Sequence, residues 1–337
     1  MKPRLLIPAV LLVLLTGLLM SMSTAPLSGH PQRGTSLFDR LEQPELTHFT
    51  LTFNTNHLSE MKYQDEYFPA TFTHAGENWD AKIKVRGRYR RRVCDFPPLK
   101  LKFSKDMLEA AGLQRHNKFK LVTHCSDNFD GADNVVREQL TYDLYRLMTG
   151  EGYRTQLVKV TYRDAATGES TERFGILIED TTEMAHAHGG DECEDCVNPA
   201  AAQFVAGNLE QVALFNYMIG NSDYDTRMMR NVKVVQQRAG GQYKLVPYDF
   251  DFSGLVMTEY AKPNVNYGQT SVQDRVWIWD FSTAPQLNNV VADFAAKQDA
   301  AFDLVANYPH LSTKSKRQIT KFLTEFFTDV TAGNLPV

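Results

Sequence analysis

The stretch IGNSDYDTRMMRNVKVV at positions 219–235, followed by KLVPYDFDFSG at positions 244–254, contains the densest group of polar side chains in this chain of 337 residues. Two alternating segments, 232–237 and 243–246, flank a glycine-containing turn and predict a β-hairpin. Closing that hairpin would bring the loop before it next to the acidic segment after it. The side chains expected to meet are Asp223, Asn231, Asp249 and Asp251.

Carboxylates and an amide that meet in one place suit phosphoryl transfer. One carboxylate can position an acceptor hydroxyl, while an amide and further carboxylates hold magnesium on the phosphates of a nucleotide. Each residue alone has a simpler interpretation, since Asp223 and Asp225 could cap a turn after a helix and Asp249 could end a strand. The set in this order favours the chemical interpretation. Other catalytic signatures, G-x-x-x-x-G-K-[ST], H-E-x-x-H and G-x-S-x-G, do not occur in the sequence.

Alternating segments upstream of this set predict an antiparallel sheet, and helical periodicity dominates the later half of the chain. The predicted strands are 49–54, 68–73, 81–86, 99–103, 119–122, 156–162 and 174–178. One helix is predicted among these strands at 134–148, and further helices are predicted at 204–219, 288–307 and 313–330. We therefore expect an α+β protein with a β-rich part at 45–180 and a mainly helical part at 181–337.

The first 25 residues have the order of an export signal. Lys2 and Arg4 precede an apolar run at 5–20, and small residues follow that run. The run is only slightly shorter than a membrane span, so an uncleaved membrane anchor at 1–25 is the alternative. With either interpretation a linker at 26–44 follows, and the body is exported to the periplasm or the exterior, or is anchored facing outward.

Four cysteines, an even number, fit an oxidising compartment. The disulfide candidates are Cys94, Cys125, Cys193 and Cys196. We predict that the first two pair with each other and that the last two do the same, although the sequence alone does not determine the pairing. The rival interpretation is a zinc site in which the C-x-x-C segment joins His186 and His188. One C-x-x-C without a second matching pair is weak support for zinc.

The overall charge gives no reason to expect a nucleic-acid partner, since the net charge is −4 and the isoelectric point is near 6.2. Positive charge is nevertheless concentrated between Lys82 and Lys120. In the predicted strands 81–86 and 99–103, basic residues alternate with apolar ones and therefore share one face of the sheet. That face suits an anionic ligand, although outward charges more often mark only a solvated surface.

Two more segments are informative beside those at 219–254. Residues 85–103 read VRGRYRRRVCDFPPLKLKF, and residues 174–180 read FGILIED. The first resembles the Arg-Gly segment and lysine-bearing strand of the spore-coat-protein-H (CotH) kinase family, and the second resembles the strand that leads into that family's hinge. The segments at 219–235 and 244–254 resemble its catalytic and metal-binding segment, and more distantly that of HipA-type kinases. The matched pieces are short and spread over residues 81–254.

The resemblance implies a two-lobed protein-kinase-like fold, with an antiparallel β N-lobe containing one helix and a mostly helical C-lobe. It implies that Asp223 is the catalytic aspartate of an ATP-dependent kinase. The metal ligands implied, for Mg²⁺ or Mn²⁺, are Asn231, Asp249 and Asp251. Because the sequence lacks a G-x-G-x-x-G loop, guanidinium groups of the Arg-Gly segment would have to bind the phosphates. The implied nucleotide-binding residues are Arg86, Arg88, Lys100 or Lys102, Glu138, Ile178 and Glu179.

Two assignments stay open. The spacing from Asp223 to Asn231 is wider than in typical kinases, which makes Asp225 a rival for the catalytic role. Lys100 and Lys102 share a face, and Glu138 is the expected partner of whichever lysine binds the nucleotide. We expect an exported kinase that transfers the γ-phosphate of ATP to a hydroxyl of a protein Ser or Thr, of its own chain or of a small molecule. The alternative is a non-catalytic structural or assembly protein that keeps the kinase-like fold.

Overall fold

The structure is a computed structural model and describes residues 34–43, 45–279 and 281–336. The predicted signal or anchor at 1–25, and residues 26–33 and 44 of the predicted linker at 26–44, lie outside these residues. None of the helices in the described ranges is long and apolar enough to cross a bilayer.

Seven strands form a closed β-barrel. They are β1 (Thr47–Phe53), β2 (Phe68–His74), β3 (Glu77–Val85), β4 (Leu99–Phe103), β5 (Lys118–Val122), β6 (Thr155–Asp164) and β7 (Ser170–Ile178). Their order around the barrel is β1-β2-β3-β4-β5-β7-β6. Neighbouring strands are antiparallel except β1 and β6, which pair in parallel from Thr47 opposite Val158 to Phe53 opposite Asp164.

The predicted two-lobed kinase-like fold with an antiparallel β N-lobe is therefore wrong. The sheet is mixed and closed, because the ten-residue strand β6 pairs with β7 on one side and with β1 on the other. Closure gives the backbone groups of both end strands a partner, which removes the exposed edges of an open sheet. An alternating sequence pattern indicates which side chains point inward, but it does not reveal a parallel pairing between two distant segments.

Apolar side chains that point inward fill the barrel. In β1 the residues Phe49, Leu51 and Phe53 are buried while their neighbours are more exposed. The same alternation in β3 buries Ile83 and Val85 and turns the intervening lysines outward. Strand β4 continues this alternation, and in β5 Lys120 lies opposite Lys100 on the same side although it is buried. The outer surface of β3, β4 and β5 is therefore basic.

Four short helices accompany the barrel where the sequence predicted none. They are α1 (Leu37–Leu41), α2 (Leu58–Met61), α3 (Arg90–Val93) and α4 (Lys105–Ala110). The longer helices are α5 (Phe129–Thr149), α6 (Thr181–Ala187), α7 (Asn208–Ile219), α8 (Leu287–Ala296), α9 (Gln298–Asn307) and α10 (Thr313–Ala332). The single helix predicted at 288–307 is thus two helices, which separate at Lys297.

Helix α5 lies at the centre of a second hydrophobic core. It contacts β6, β7, α7 and α9. The side chain of Asn128 caps its first turn by accepting from the backbone N of Gly131, and Gly150 ends it in a left-handed conformation. Leu140 and Leu144 of this helix are fully buried with aromatic residues of the helical part. This core fixes the position of the segments that follow α7 and the hairpin.

The predicted hairpin is present within a three-stranded sheet. Its strands are β8 (Gly190–Glu192), β9 (Val232–Gln237) and β10 (Tyr243–Pro247), in the order β10-β9-β8. Both predicted cysteine pairs are disulfides, with Cα–Cα distances of 4.5 Å for Cys94–Cys125 and 5.5 Å for Cys193–Cys196. All four cysteines lie in the described ranges and none of them is free there, which fits an oxidising environment.

Candidate functional site

The hairpin brings the predicted polar residues together. Asn231 lies directly before β9 and Asp249 lies two residues after β10, and the backbone N of Tyr248 donates to the backbone O of Asn231 at 2.9 Å. Asn231 and Asp249 have φ angles of 54° and 66°. Residues other than glycine rarely adopt this left-handed conformation, and such strain is frequent at functional sites.

The loop after α7 places Asp223 next to Asn231. Backbone hydrogen bonds from Gly254 to Gly220 (3.1 Å) and from Leu255 to Ile219 (3.0 Å) join the loop after α7 to the segment after Asp251. The Nδ2 of Asn231 donates to the backbone O of Asp223 at 2.6 Å and to its Oδ2 at 3.0 Å.

The environment of Asp223 suits a proton acceptor. Its side chain is one-third exposed, so a substrate can reach it. Burial of the rest raises its pKa above the ordinary value, and the negative charge of Asp249 adds to that effect, while Arg230 and Asn231 oppose it. A carboxylate with a raised pKa is a better base than a fully solvated one.

Asp225, the rival for the catalytic role, has a structural function. Its Oδ1 accepts hydrogen bonds from the backbone N atoms of Arg227 and Met228, at 2.9 and 2.7 Å. Its backbone also pairs with that of Arg230 in an isolated bridge. Asp225 therefore caps a turn in the loop between α7 and β9.

Arg90 joins three carboxylates, that of Glu138 from α5 and those of Asp249 and Asp251 from the segment after β10, and all but Asp249 are buried. Its Nη2 forms a short contact with Oδ1 of Asp249, and its Nε lies 3.3 Å from Oδ2 of Asp251. Its Nη1 lies 3.8 Å from Oε2 of Glu138. The hydroxyl of Tyr260 also donates to Oδ2 of Asp251, at 2.9 Å. Arg90 is only 4% exposed.

The two aspartates of this cluster differ in proton affinity. Burial raises the pKa of both, but for Asp249 the charges of Arg90 and Arg86 outweigh burial and lower the pKa. For Asp251 burial and the neighbouring charge of Asp249 prevail and raise the pKa to about 7. The pair therefore tends to hold one proton on Asp251 while Asp249 stays ionised.

The predicted metal ligands fit a metal ion only in part. Among the described residues, no group of three or more His, Cys, Asp or Glu side chains is arranged to hold a metal. Asp251 is engaged by Arg90 and Tyr260. Within the described ranges the Oδ1 of Asn231 has no donor, and Oδ2 of Asp249 faces Arg86 at 3.6 Å. Those two oxygens are the donors that an ion could use, and the metal assignment remains a prediction.

A polar cavity of about 440 Å³ lies on the basic outer surface of the barrel. Its lining includes Arg86, Lys100, Lys118, Lys120 and Lys233. Lys84, Lys100 and Lys120 are directly opposite one another on β3, β4 and β5. Like charges opposite each other destabilise a sheet, so an anion bound here would relieve their repulsion.

Lys120, one of the cations that line this cavity, was not among the predicted nucleotide-binding residues. Its ammonium group donates to Oγ1 of Thr181 at 2.8 Å and lies 4.5 and 5.3 Å from the ring centroids of Tyr153 and Tyr248. Burial, reinforced by Arg86 and Lys233, lowers its pKa to about 7. No carboxylate of the described ranges forms an ion pair with it. The available signal was its position in an alternating strand next to the strand of Lys100.

Of the predicted nucleotide residues, Arg86 and Lys100 line the polar cavity. Lys102 instead lies 5.2 Å from the ring of Tyr67 and lines a separate, mainly apolar cavity of about 860 Å³. Arg88 is exposed on the loop before α3 and lies outside the lining. The structure thus separates the two lysines that the sequence could not distinguish.

The other three predicted nucleotide residues face different partners. Glu138 lies beside Arg90 and not beside either lysine. Ile178 is buried at the end of β7. Glu179 forms an ion pair with Arg154 at 2.9 Å, and burial raises its pKa to about 7. The structure therefore brings none of these three side chains to the lining of the polar cavity.

The rival zinc site is not formed. The disulfide Cys193–Cys196 uses both thiols. The Nε2 of His186 lies 3.2 Å from Asp191, and the Nε2 of His188 lies 3.1 Å from the backbone O of Gly152.

No protein-family model matches the chain, and no curated protein matches it. Among solved structures, the chain is similar to the crystal structure of CtkA, a proinflammatory kinase of Helicobacter pylori, with 10% sequence identity and a TM-score of 0.40. The likeness covers 70% of this chain and 92% of that one. We infer neither fold nor function from a likeness this distant.

Proposed function

We propose that the protein is an exported phosphotransferase that moves the γ-phosphate of ATP to a hydroxyl group, as the resemblance to CotH kinases implies. The observation that supports this most is the position of Arg86. Its side chain lines the polar cavity and also lies 3.6 Å from Asp249. Arg86 therefore lies between the cations that would bind phosphate and the carboxylates near Asp223.

The polar cavity on the basic outer surface of the barrel is the proposed phosphate site. Its volume of about 440 Å³ falls in the range of ligand pockets, and its cations replace the glycine-rich loop that the sequence lacks. Guanidinium groups such as that of Arg86 bind two phosphate oxygens at once. Lys100 and Lys120 would add two ammonium groups from adjacent strands. Because Arg86 lies 3.6 Å from Asp249, a phosphate bound by Arg86 would lie close to the carboxylate of Asp249.

Asp223 is the proposed catalytic residue. It would accept a hydrogen bond from the acceptor hydroxyl and take its proton as the oxygen bonds to the γ-phosphorus. The bond from that phosphorus to the bridging oxygen breaks at the same time, and ADP leaves with the electron pair. Asn231 would hold the carboxylate of Asp223 in position through the hydrogen bond at 3.0 Å.

A divalent ion, Mg²⁺ or Mn²⁺, would neutralise phosphate charge when it is bound with ATP. The donors proposed for it are Oδ1 of Asn231 and Oδ2 of Asp249. Both belong to residues that flank the hairpin, so their backbone positions are fixed by β9 and β10. The exposed side of Asp223 leaves room for an acceptor that is either a protein Ser or Thr or a small molecule.

The disulfides support a location outside the cytoplasm, and we propose the periplasm or the exterior, as the N-terminal sequence predicts. The experiment that tests the function is incubation of the purified protein with γ-labelled ATP and either Mg²⁺ or Mn²⁺. We expect label on the protein or on an added hydroxyl acceptor, and none when EDTA is present. ATP binding without any transfer would favour the non-catalytic alternative.

A further inference from the structure

Arg90 lies where the resemblance to kinases predicts a metal ion. Three of its nitrogens each face a different carboxylate, from Asp249, Asp251 and Glu138. We infer that Arg90 takes the place of a divalent cation at the Asp249–Asp251 pair. The free protein therefore binds no metal ion between these carboxylates, and an ion that arrives with ATP has only Asn231 and the far oxygen of Asp249 as side-chain ligands.

The first reason is charge. A divalent ion between Asp249 and Asp251 on the side of Arg90 would need Oδ1 of Asp249 and Oδ2 of Asp251, which now face the guanidinium group. It would then lie within a few ångströms of a permanent positive charge in a buried place, where charge repulsion is weakly screened. The ion and Arg90 therefore exclude each other from this pair.

The second reason is that Arg90 is held in place. It is the first residue of α3, and its backbone O accepts from the backbone N of Cys94 at 2.9 Å. Cys94 is joined by a disulfide to Cys125, which follows β5. The side chain is buried, so leaving would strip the buried carboxylates of Glu138 and Asp251 of their cation and leave Asp249 with Arg86 alone. A metal ion that displaced Arg90 in the free protein would have to offset that loss of stability.

The third reason is that this cluster has three carboxylates but two arginines, Arg90 and Arg86. The Oε1 of Glu138 is buried and has no hydrogen-bond partner within the described residues, although its other oxygen faces Arg90. With Arg90 present, these carboxylates are not among any described group arranged to hold a metal ion. Without it, their oxygens could turn toward the vacated position, and oxygens of several carboxylates bind divalent ions. The inference therefore predicts that deleting the guanidinium group creates a metal site.

This inference deepens the proposed function, since it concerns carboxylates assigned to metal there, but its test needs neither ATP nor acceptor. Binding of Mn²⁺ to the purified protein without nucleotide is measured by electron paramagnetic resonance and calorimetry. The wild type should bind Mn²⁺ at least ten-fold more weakly than Arg90→Met, which should bind one ion. Mn²⁺ should also raise the melting temperature of Arg90→Met and leave that of the wild type unchanged.

Arg92→Met is the matched control, since Arg92 lies on the same helix, is exposed and carries the same charge. It should bind Mn²⁺ as weakly as the wild type does.

If Arg90→Met is soluble only with Mn²⁺ present, that dependence supports the inference. Tight Mn²⁺ binding by the wild type that is lost in Asp251→Asn would overturn it, because Arg90 would then yield its place. An Arg90→Met protein that is folded but gains no Mn²⁺ affinity would overturn it as well. Failure of phosphate transfer alone would bear only on the proposed function.

Discussion

Replacing Lys120 with methionine should stabilise the protein and weaken ATP binding at the same time. Methionine has a similar length and no charge, so it removes the cost of holding an ammonium group in a buried place. Burial, with the charges of Arg86 and Lys233, lowers the pKa of Lys120 to about 7. A binding site often retains such a destabilising charge because the ligand needs it.

The size of the effect follows from this pKa. The fall from 10.5 to about 7 corresponds to about 5 kcal/mol of unfavourable interaction with the charged form, at about 1.36 kcal/mol per pH unit. The variant also loses the hydrogen bond to Thr181 and the contacts with the rings of Tyr153 and Tyr248, each worth about 1 kcal/mol. We expect a net gain of about 1–3 kcal/mol in the free energy of unfolding at pH 7.

The gain should depend on pH in a defined direction. The unfolded chain keeps the Lys120 proton up to about pH 10.5, whereas the folded protein releases it near pH 7. Between these values the unfolded state binds more protons, so the stability of the wild type rises with pH across the window. The advantage of the methionine variant should be full at pH 7 and below and should shrink toward pH 10.

Urea unfolding at several pH values measures the stability, and calorimetry measures the ATP affinity, which should fall about ten-fold or more. Lys102→Met is the control, because Lys102 is on the neighbouring strand but outside the polar cavity. It should change the stability by less than about 0.5 kcal/mol and leave ATP affinity unchanged. A Lys120→Met protein that is destabilised and binds ATP as the wild type does would contradict the placement of Lys120 in the ATP site.

Three further predictions concern the cavity and the disulfides. Lys100→Ala should weaken ATP binding by about ten-fold in calorimetry, whereas equal losses for Lys100→Ala and Lys102→Ala would place the phosphate site elsewhere. Replacing Cys94 and Cys125 by serine should lower the free energy of unfolding by about 3–4 kcal/mol in urea, because their disulfide closes a loop with a separation of 31 residues. Thiol titration of the denatured, unreduced protein should find no free thiol, and four thiols would contradict both disulfides.

The local features of the fold could be read from the sequence, but the closure of the sheet could not. Strong alternation in segments such as 81–86 and 99–103 predicted strands that the structure contains as β3 and β4. The parallel pairing of β1 with β6 decides the architecture, and it depends on tertiary packing between distant segments. The break at Lys297 was also missed, because apolar periodicity continues through it.

The candidate site was predictable where its residues are neighbours in the sequence. Asp223, Asn231, Asp249 and Asp251 flank one hairpin, and that hairpin brings them together. Arg90 was not recognised, since within a run of arginines the sequence does not show which one is buried. Its partners come from helix α5 and from the segment after β10, so only the tertiary fold reveals the cluster.

The most direct test of the account is the rate of γ-phosphate transfer by Asp223→Asn compared with the wild type and with Asp225→Asn. The change to asparagine keeps the shape of Asp223 but removes the proton acceptor, so transfer should fall by about 10²–10⁴-fold while ATP affinity stays within about two-fold. Asp225→Asn should transfer phosphate at close to the wild-type rate, because Asp225 only caps a turn. Undiminished transfer by Asp223→Asn would contradict the assignment of Asp223 as the catalytic residue.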